Sequence, residues 1–162
     1  MTEAVPPAAV VPGRGFARET DERPPFRFAA HTRVGFDETD AQGVVYYGRY
    51  LPYFDRARVE YLRHLGLLHR GPAFVEFVMR ASAVEYHAPA VFDDLLDVFL
   101  RASRIGRTSV TYEYAAFRDD GVLLCTATQT LVAVEAATRR KVPVDAAIRA
   151  AITTYERLEE PR

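Results

Sequence analysis

Between residues 50 and 65 the apolar positions Tyr50, Phe54, Ala57, Tyr61 and Leu65 recur every three or four residues, while Arg56, Glu60 and Arg63 fall on another face. That period marks an amphipathic helix. Pro52 is tolerated only in its first turn, and Gly66 suits its end. Upstream, His31 to Phe36 reads as a short strand leading into the acidic run Asp37-Glu38-Thr39-Asp40 and a loop through Gly43. After the helix the period drops to two. In Phe74 to His87 the positions Val75, Phe77, Met79, Ala81 and Ala83 share one face, then Val84 and Tyr86 carry the apolar character on the other parity, which predicts a β-bulge near Ala83. Leu96, Val98, Leu100 and Ala102 mark a second long strand. Thr108 to Arg118 marks a third and Val122 to about Glu135 a fourth, joined by the tight-turn pair Asp120-Gly121. Helical spacing returns at Val144, Ile148, Ile152 and Tyr155, within Pro143 to Leu158.

The predicted order is thus strand, long helix, four long strands, short helix. Strands joined by short turns pair antiparallel, and such a sheet must bury one face. The only element long and apolar enough to cover it is the helix over 50–65, so the expected class is α+β, one domain over residues 29–160 with the sheet curled around a central helix. Long strands also leave edges that need covering, and pairing between copies covers them, so a homodimer or homotetramer is expected. Residues 1–28 hold five of the ten prolines without a regular apolar period and read as a flexible tail rich in Pro and Ala.

Composition narrows the function classes. Hydrophobic residues make up 49% of the 162 and charged residues 27%, enough apolar surface to exclude global disorder. Lys and Arg number 21 against 22 Asp and Glu, a formal net charge of -1, so no nucleic-acid partner is expected from a broadly basic surface. The longest uncharged stretch, Gly121 to Val134, is 14 residues, too short for a membrane-spanning helix. Met1 to Gly15 lacks the pattern of a secretory leader, and the single Cys125 cannot form an intramolecular disulfide; both fit the cytoplasm. His31, His64, His69 and His87 show no metal-ligand spacing, so no metal is expected, and His87 reads as a histidine satisfied by a backbone carbonyl.

The densest chemistry is the run Asp37-Glu38-Thr39-Asp40-Ala41-Gln42-Gly43, three carboxylates between a strand and a helix. Such a loop is either a solvated acidic turn with capping side chains, or the seat of a desolvated base or nucleophile. The longer string FDETDAQGVVYYGRYLPYFDRARVEY over residues 36–61 resembles the signature of the hotdog-fold acyl-CoA thioesterases of the 4-hydroxybenzoyl-CoA thioesterase type, including the Tol-Pal-associated branch. The shared features are Thr39-Asp40, Gly43, Val44-Val45, Tyr46-Tyr47, Tyr50 and Arg56-Ala57-Arg58, and the block VEYHAPAVFDDLLDV over residues 84–98 is similar to the family's strand, Pro-Ala turn and Asp-Asp corner.

The resemblance implies a hotdog fold and hydrolysis of an acyl-CoA, or of an acyl-carrier-protein thioester, to the free acid. Asp40 would be the catalytic carboxylate, as nucleophile or as base for water. The backbone N–H of Tyr47 and its neighbours at the helix start, Gly48 included, would polarise the thioester carbonyl, because donors at a helix N-terminus already point where negative charge develops. No cofactor is implied beyond the coenzyme A of the substrate. Tyr46 and Tyr50 are candidates to line an acyl pocket. Relatives of the Tol-Pal branch have His where Tyr47 stands and Asn or Ser in place of Arg49, which removes an imidazole helper. Arg49 reads as either a partner for an acyl carboxylate or an exposed surface cation. Arg101, Arg104 and Arg107 lie in or beside the corner before Thr108-Ser109, a region that contacts coenzyme A phosphates in the family, where Arg107 matches a basic position; the run Arg139-Arg140-Lys141 is a further candidate. A dehydratase reading expects a His at the position of Val45, and a non-catalytic module that binds acyl-CoA or an acyl-carrier protein is the remaining alternative.

Overall fold

A computed structural model describes residues 16–68 and 76–159. Its elements are β1 (Ala17–Glu19), β2 (Phe28–Arg33), two 3-10 turns (Phe36–Glu38 and Tyr47–Arg49), α1 (Tyr50–His64), β3 (Glu76–Tyr86), β4 (Leu95–Ile105), β5 (Ser109–Arg118), β6 (Leu123–Val134) and α2 (Ala146–Glu156). The strands form one antiparallel sheet in the order β1-β2-β4-β5-β6-β3. It curls around α1, the hotdog arrangement the resemblance implied.

On α1, Tyr50, Tyr53, Phe54, Ala57 and Tyr61 are buried, the i, i+3, i+4, i+7, i+11 stripe that a helix lays on a sheet. Phe54 packs on Tyr114 of β5 with ring centroids 4.7 Å apart, and Tyr61 meets Phe28 of β2 edge-on at 5.5 Å. The helix closes at Gly66, whose φ of +70° suits a residue without Cβ. α2 starts later than Pro143: Asp145 caps it by accepting from the amides of Ala147 and Ile148. Its last residue, Glu156, accepts from Tyr61 Oη at 2.6 Å and from the Ala102 amide at 3.0 Å, which staples α2 to both the central helix and the sheet. Among the described residues no helix is long and apolar enough to cross a membrane.

Several expectations move. The first predicted strand begins three residues earlier, at Phe28, and ends at Arg33, because the chain turns into a 3-10 turn at Phe36 rather than extending through it. Residues 16–27, expected within the tail, lie on the sheet: β1 pairs with β2, Arg18 bonds Asp97, and the Arg23 guanidinium stands 3.6 Å from the centre of the Phe117 ring. Residues 1–15 lie outside the described residues, as do 74 and 75 at the start of the predicted third segment. The register shift in β3 falls between Met79 and Ala81 rather than at Ala83, making Arg80 the extra residue.

The two edges of the sheet differ. β1 is three residues long, whereas β3 has 11 and among the described residues pairs only with β6; Val78, Met79, Ala81 and Ala83 along it are exposed.

Candidate active site

The loop between β2 and α1 is built from short hydrogen-bonded turns. Val34 is buried and exchanges backbone hydrogen bonds with the 93–94 corner, donating to Asp94 O at 2.9 Å and accepting from the Asp93 amide at 3.0 Å. Glu38 then ties the loop to the helix. Its Oε2 accepts from the Gly35 amide at 2.8 Å and from Tyr53 Oη at 2.6 Å, and its Oε1 from Arg56 at 3.2 Å. Burial alone would push the Glu38 carboxyl upward, but these three donors outweigh it and hold it below the usual 4.5. Glu38 is therefore a structural carboxylate. Its own C=O also accepts from the Tyr46 amide at 2.9 Å, so the loop and the helix start are held together on both sides of one residue.

From Thr39 to Val45 the chain makes a small hairpin. Thr39 bridges Val45, the Asp40 amide donates to Val44 O, and the Gly43 amide donates to Asp40 O, both at 2.9 Å. Gly43 sits at φ +78°, where a side chain would be strained. The hairpin leans on the 88–94 segment through Val44 to Val91 and through the Val45 amide to Ala90 O at 2.8 Å. Of the three carboxylates in the run, Asp37 is exposed and Glu38 is used. Asp40 is half-buried, and among the described residues only its Oδ1 is engaged, accepting from the Gln42 amide at 2.8 Å.

The helix tip follows directly. The 3-10 turn Tyr47–Arg49 runs into α1 without a break, so residues 47–64 are continuously helical. Tyr46 C=O accepts from the Arg49 amide at 2.8 Å and Tyr47 C=O from the Tyr50 amide. Among the described residues the amides of Tyr47 and Gly48 have no acceptor, the ordinary condition of a helix start with no side-chain cap. A Cβ at Gly48 would come within 2.9 Å of the Tyr46 ring, so a side chain there would have to displace that ring. Tyr46 and Tyr47 are 44% and 61% exposed with ring centroids 4.4 Å apart, whereas Tyr50 is buried and its phenol is pushed up to about 12 by burial. Of the five tyrosines near the helix, only Tyr50, Tyr53 and Tyr61 belong to the core. Arg49 is exposed.

The cationic candidates lie elsewhere. Arg104 and Arg107 wall a cavity of about 820 Å³ at the β4–β5 corner, with Ser103, Arg149, Thr153 and Glu159. Arg149, on α2, carries no signal in the sequence; it donates to Gly106 O at 2.7 Å and so holds the corner. Arg101 is paired with Glu113 at 2.7 Å and Arg139 with Glu76, which leaves both engaged in the fold. Register fixes how far this corner is from the helix tip. Tyr86 pairs with Cys125 and Cys125 with Ala116, while Val78 pairs with Val132 and Val132 with Ser109. Tyr86, which touches Tyr47, and Ser109, beside the corner, are therefore at opposite ends of the sheet, roughly 25 Å apart at the usual strand rise. One chain does not bring Asp40 and Tyr47 together with Arg104 and Arg107.

Cys125 is buried, with its thiol pushed up to about 12 by burial. His87 is exposed and bonds Thr126 Oγ1 at 3.1 Å, a hydroxyl rather than the expected backbone carbonyl.

Residues 34–152, from the start of the site loop through most of α2, match the model of the thioesterase-like superfamily. The chain belongs to the thioesterase-like superfamily. A relative from Haemophilus influenzae named acyl-CoA thioesterase YbgC is 33% identical over 127 residues, which cover 76% of this chain and 93% of that protein. Another from Escherichia coli O6:H1, named acyl-CoA thioester hydrolase YbgC, is 35% identical over 105 residues, 64% of this chain and 78% of that one. Among solved structures, a thioesterase-superfamily protein from Jannaschia sp. CCS1 superposes with a TM-score of 0.77 at 25% identity, over 84% of this chain and 87% of the other.

Proposed function

We propose that this thioester hydrolase acts on acyl-CoA, with Asp40 as its catalytic carboxylate and the Tyr47 and Gly48 amides as the donors that receive the carbonyl oxygen. The observation that carries the reading is the pair of adjacent unengaged amides at the start of an 18-residue helical run, on the same hydrogen-bonded loop as Asp40, a half-buried carboxylate that keeps one oxygen free among the described residues. Attack on a thioester carbonyl places negative charge on its oxygen. Amides that face outward along a helix axis meet that charge without reorganising, and losing one such donor typically costs about 10²- to 10³-fold in rate. Asp40 either attacks the carbonyl carbon, breaking the C–S bond to give an Asp40–acyl anhydride that water then hydrolyses, or takes a proton from the water that attacks; in both routes coenzyme A departs as a thiolate and takes up a proton released from that water.

The roughly 25 Å between helix tip and arginine corner calls for a second chain. Two copies paired antiparallel along the exposed edge of β3 bring the Val78 end of one strand beside the Tyr86 end of the other. One chain's Asp40, Tyr47 and Gly48 would then handle the thioester, while the cavity with Arg104, Arg107 and Arg149 of the other would hold the phosphates of coenzyme A. The chain's one cysteine, buried, fits a cytoplasmic setting.

The test follows thiol release from aryl, short-chain and long-chain acyl-CoAs by wild type and Asp40→Asn. Hydrolysis by wild type and its loss in a folded Asp40→Asn variant support the assignment. Equal hydrolysis by both rejects Asp40, and binding of intact acyl-CoA over hours identifies a non-catalytic module. Single-turnover hydrolysis in ¹⁸O water separates the two roles of Asp40, since only direct attack leaves label on the side chain.

A further inference from the structure

The carbonyl oxygen of Tyr47 takes two donors. One is the Tyr50 amide, the ordinary bond of the helical turn; the other is the phenol of Tyr86, 3.0 Å away at the last residue of β3. The rings set this contact, since Tyr86 meets Tyr47 edge-on with centroids 6.3 Å apart and Tyr50 at 5.6 Å. The peptide held in this way joins Tyr47 to Gly48, and its opposite end is the unengaged Gly48 N–H. Hydrogen bonds onto a carbonyl polarise the whole peptide and strengthen its N–H as a donor. They also fix its plane, which matters most at a residue with no side chain to hold it.

We propose that Tyr86 is a positioning residue for thioester hydrolysis, aiming and sharpening the Gly48 N–H through the Tyr47 carbonyl. It touches no reacting atom. The inference rests on the thioesterase reading and deepens it, because it makes the edge strand part of the oxyanion-binding apparatus. Burial, with smaller contributions from Cys125 and Tyr47, raises the phenol above its usual 10, so Tyr86 remains a donor throughout the neutral range.

Tyr86→Phe keeps both ring contacts and deletes only the O–H. The expected result is a fall in kcat of about three- to tenfold, the size of one ordinary hydrogen bond, with KM and thermal midpoint unchanged. The Gly48 amide resonances should move in the ¹⁵N–¹H spectrum, since ring positions are preserved and only the bond to the Tyr47 carbonyl is lost. A wild-type kcat in the variant, or a Gly48 resonance that stays in place, overturns the proposal. The two failures are read separately. A wild-type protein that releases no thiol sinks the thioesterase reading, whereas an unmoved Gly48 resonance in Tyr86→Phe sinks the positioning role alone.

Discussion

At the N-terminal end of α1 Tyr53 donates to Glu38 at 2.6 Å, and at the C-terminal end Tyr61 donates to Glu156 at the same distance. The two carboxylates nevertheless shift in opposite directions. Burial acts upward on both. At Glu38 it is outweighed by Tyr53, the Gly35 amide and the Arg56 cation, so the group is held ionised. At Glu156 the Tyr61 phenol and the Ala102 amide are its two hydrogen-bond donors, burial wins, and the carboxyl rises above 4.5. The contrast teaches that the balance with burial decides: a phenol, an amide and arginine charge act downward on both carboxyls, outweighing desolvation at Glu38 and being outweighed by it at the more deeply desolvated Glu156. The two ends of the helix therefore serve different purposes. The first is built to carry charge beside the site loop, and the last pins α2.

The comparison can be broken at several points, the most severe first. Asp40→Asn should lower kcat by at least about 10²-fold, the usual scale for a positioned acid or base, while Glu156→Gln leaves it within about twofold; steady-state thiol release measures both. Equal losses would erase the distinction between the two ends of the helix. Tyr61→Phe should cost about 2 kcal/mol of stability in urea, because a buried carboxylate loses its phenol donor, and Tyr53→Phe about 1 kcal/mol, because Glu38 keeps Gly35 and Arg56.

The pH dependence of stability should differ in sign. Glu38 contributes stability that is present above 4.5 and lost as the pH falls below it through the depressed folded value. Glu156 does the reverse: the native chain binds the extra proton, so its contribution is favourable at acid pH and declines as the pH rises from 4.5 through the raised folded value. Urea midpoints across pH 3 to 8 for Glu38→Gln and Glu156→Gln should remove one slope each, and a common slope in both would contradict the opposed shifts. The smallest expected effect is at Arg149→Ala, about a threefold rise in KM for an acyl-CoA, with no change for the same acyl group on a phosphate-free pantetheine thioester.

The central helix and the four long strands were legible, the helix from its three-to-four period and the strands from alternation or from β-branched and aromatic content bounded by turn residues; the place of β3 beside β6 rather than β4 was not, because no turn joins that pair. Nor was the start of β2. Phe28 and Ala30 enter the main core while Ala29 enters a second cluster with Phe99 and Ala115 on the other face, so both faces are buried and no alternation exists to be read. β1 has three residues, Ala17-Arg18-Glu19, and forms only because β2 offers it an edge. Parity misplaces the bulge because Ala81 and Ala83 are small side chains on an exposed edge, where facing inward or outward carries little energy.

In the site, the motif pointed to the loop and the helix tip, but the division of labour among its carboxylates was hidden, since it depends on Tyr53 and Arg56, residues of the same motif whose contacts with Glu38 arise only once the chain folds back. Arg149 was hidden for a similar reason: its partner is a carbonyl 43 residues away in sequence. Nor does any residue pattern say that Arg107 and Tyr47 lie at opposite ends of the sheet; only the strand register does.

That separation has a consequence for mixed populations of the protein. Under the two-chain reading, each copy lends its arginine end to its neighbour's carboxylate. Chains inactivated at Asp40 and chains stripped of Arg104 and Arg107 would then complement one another. Each hybrid pair would hold one centre with both lesions and one with neither, so blending two inactive preparations would recover up to half of the normal turnover per hybrid.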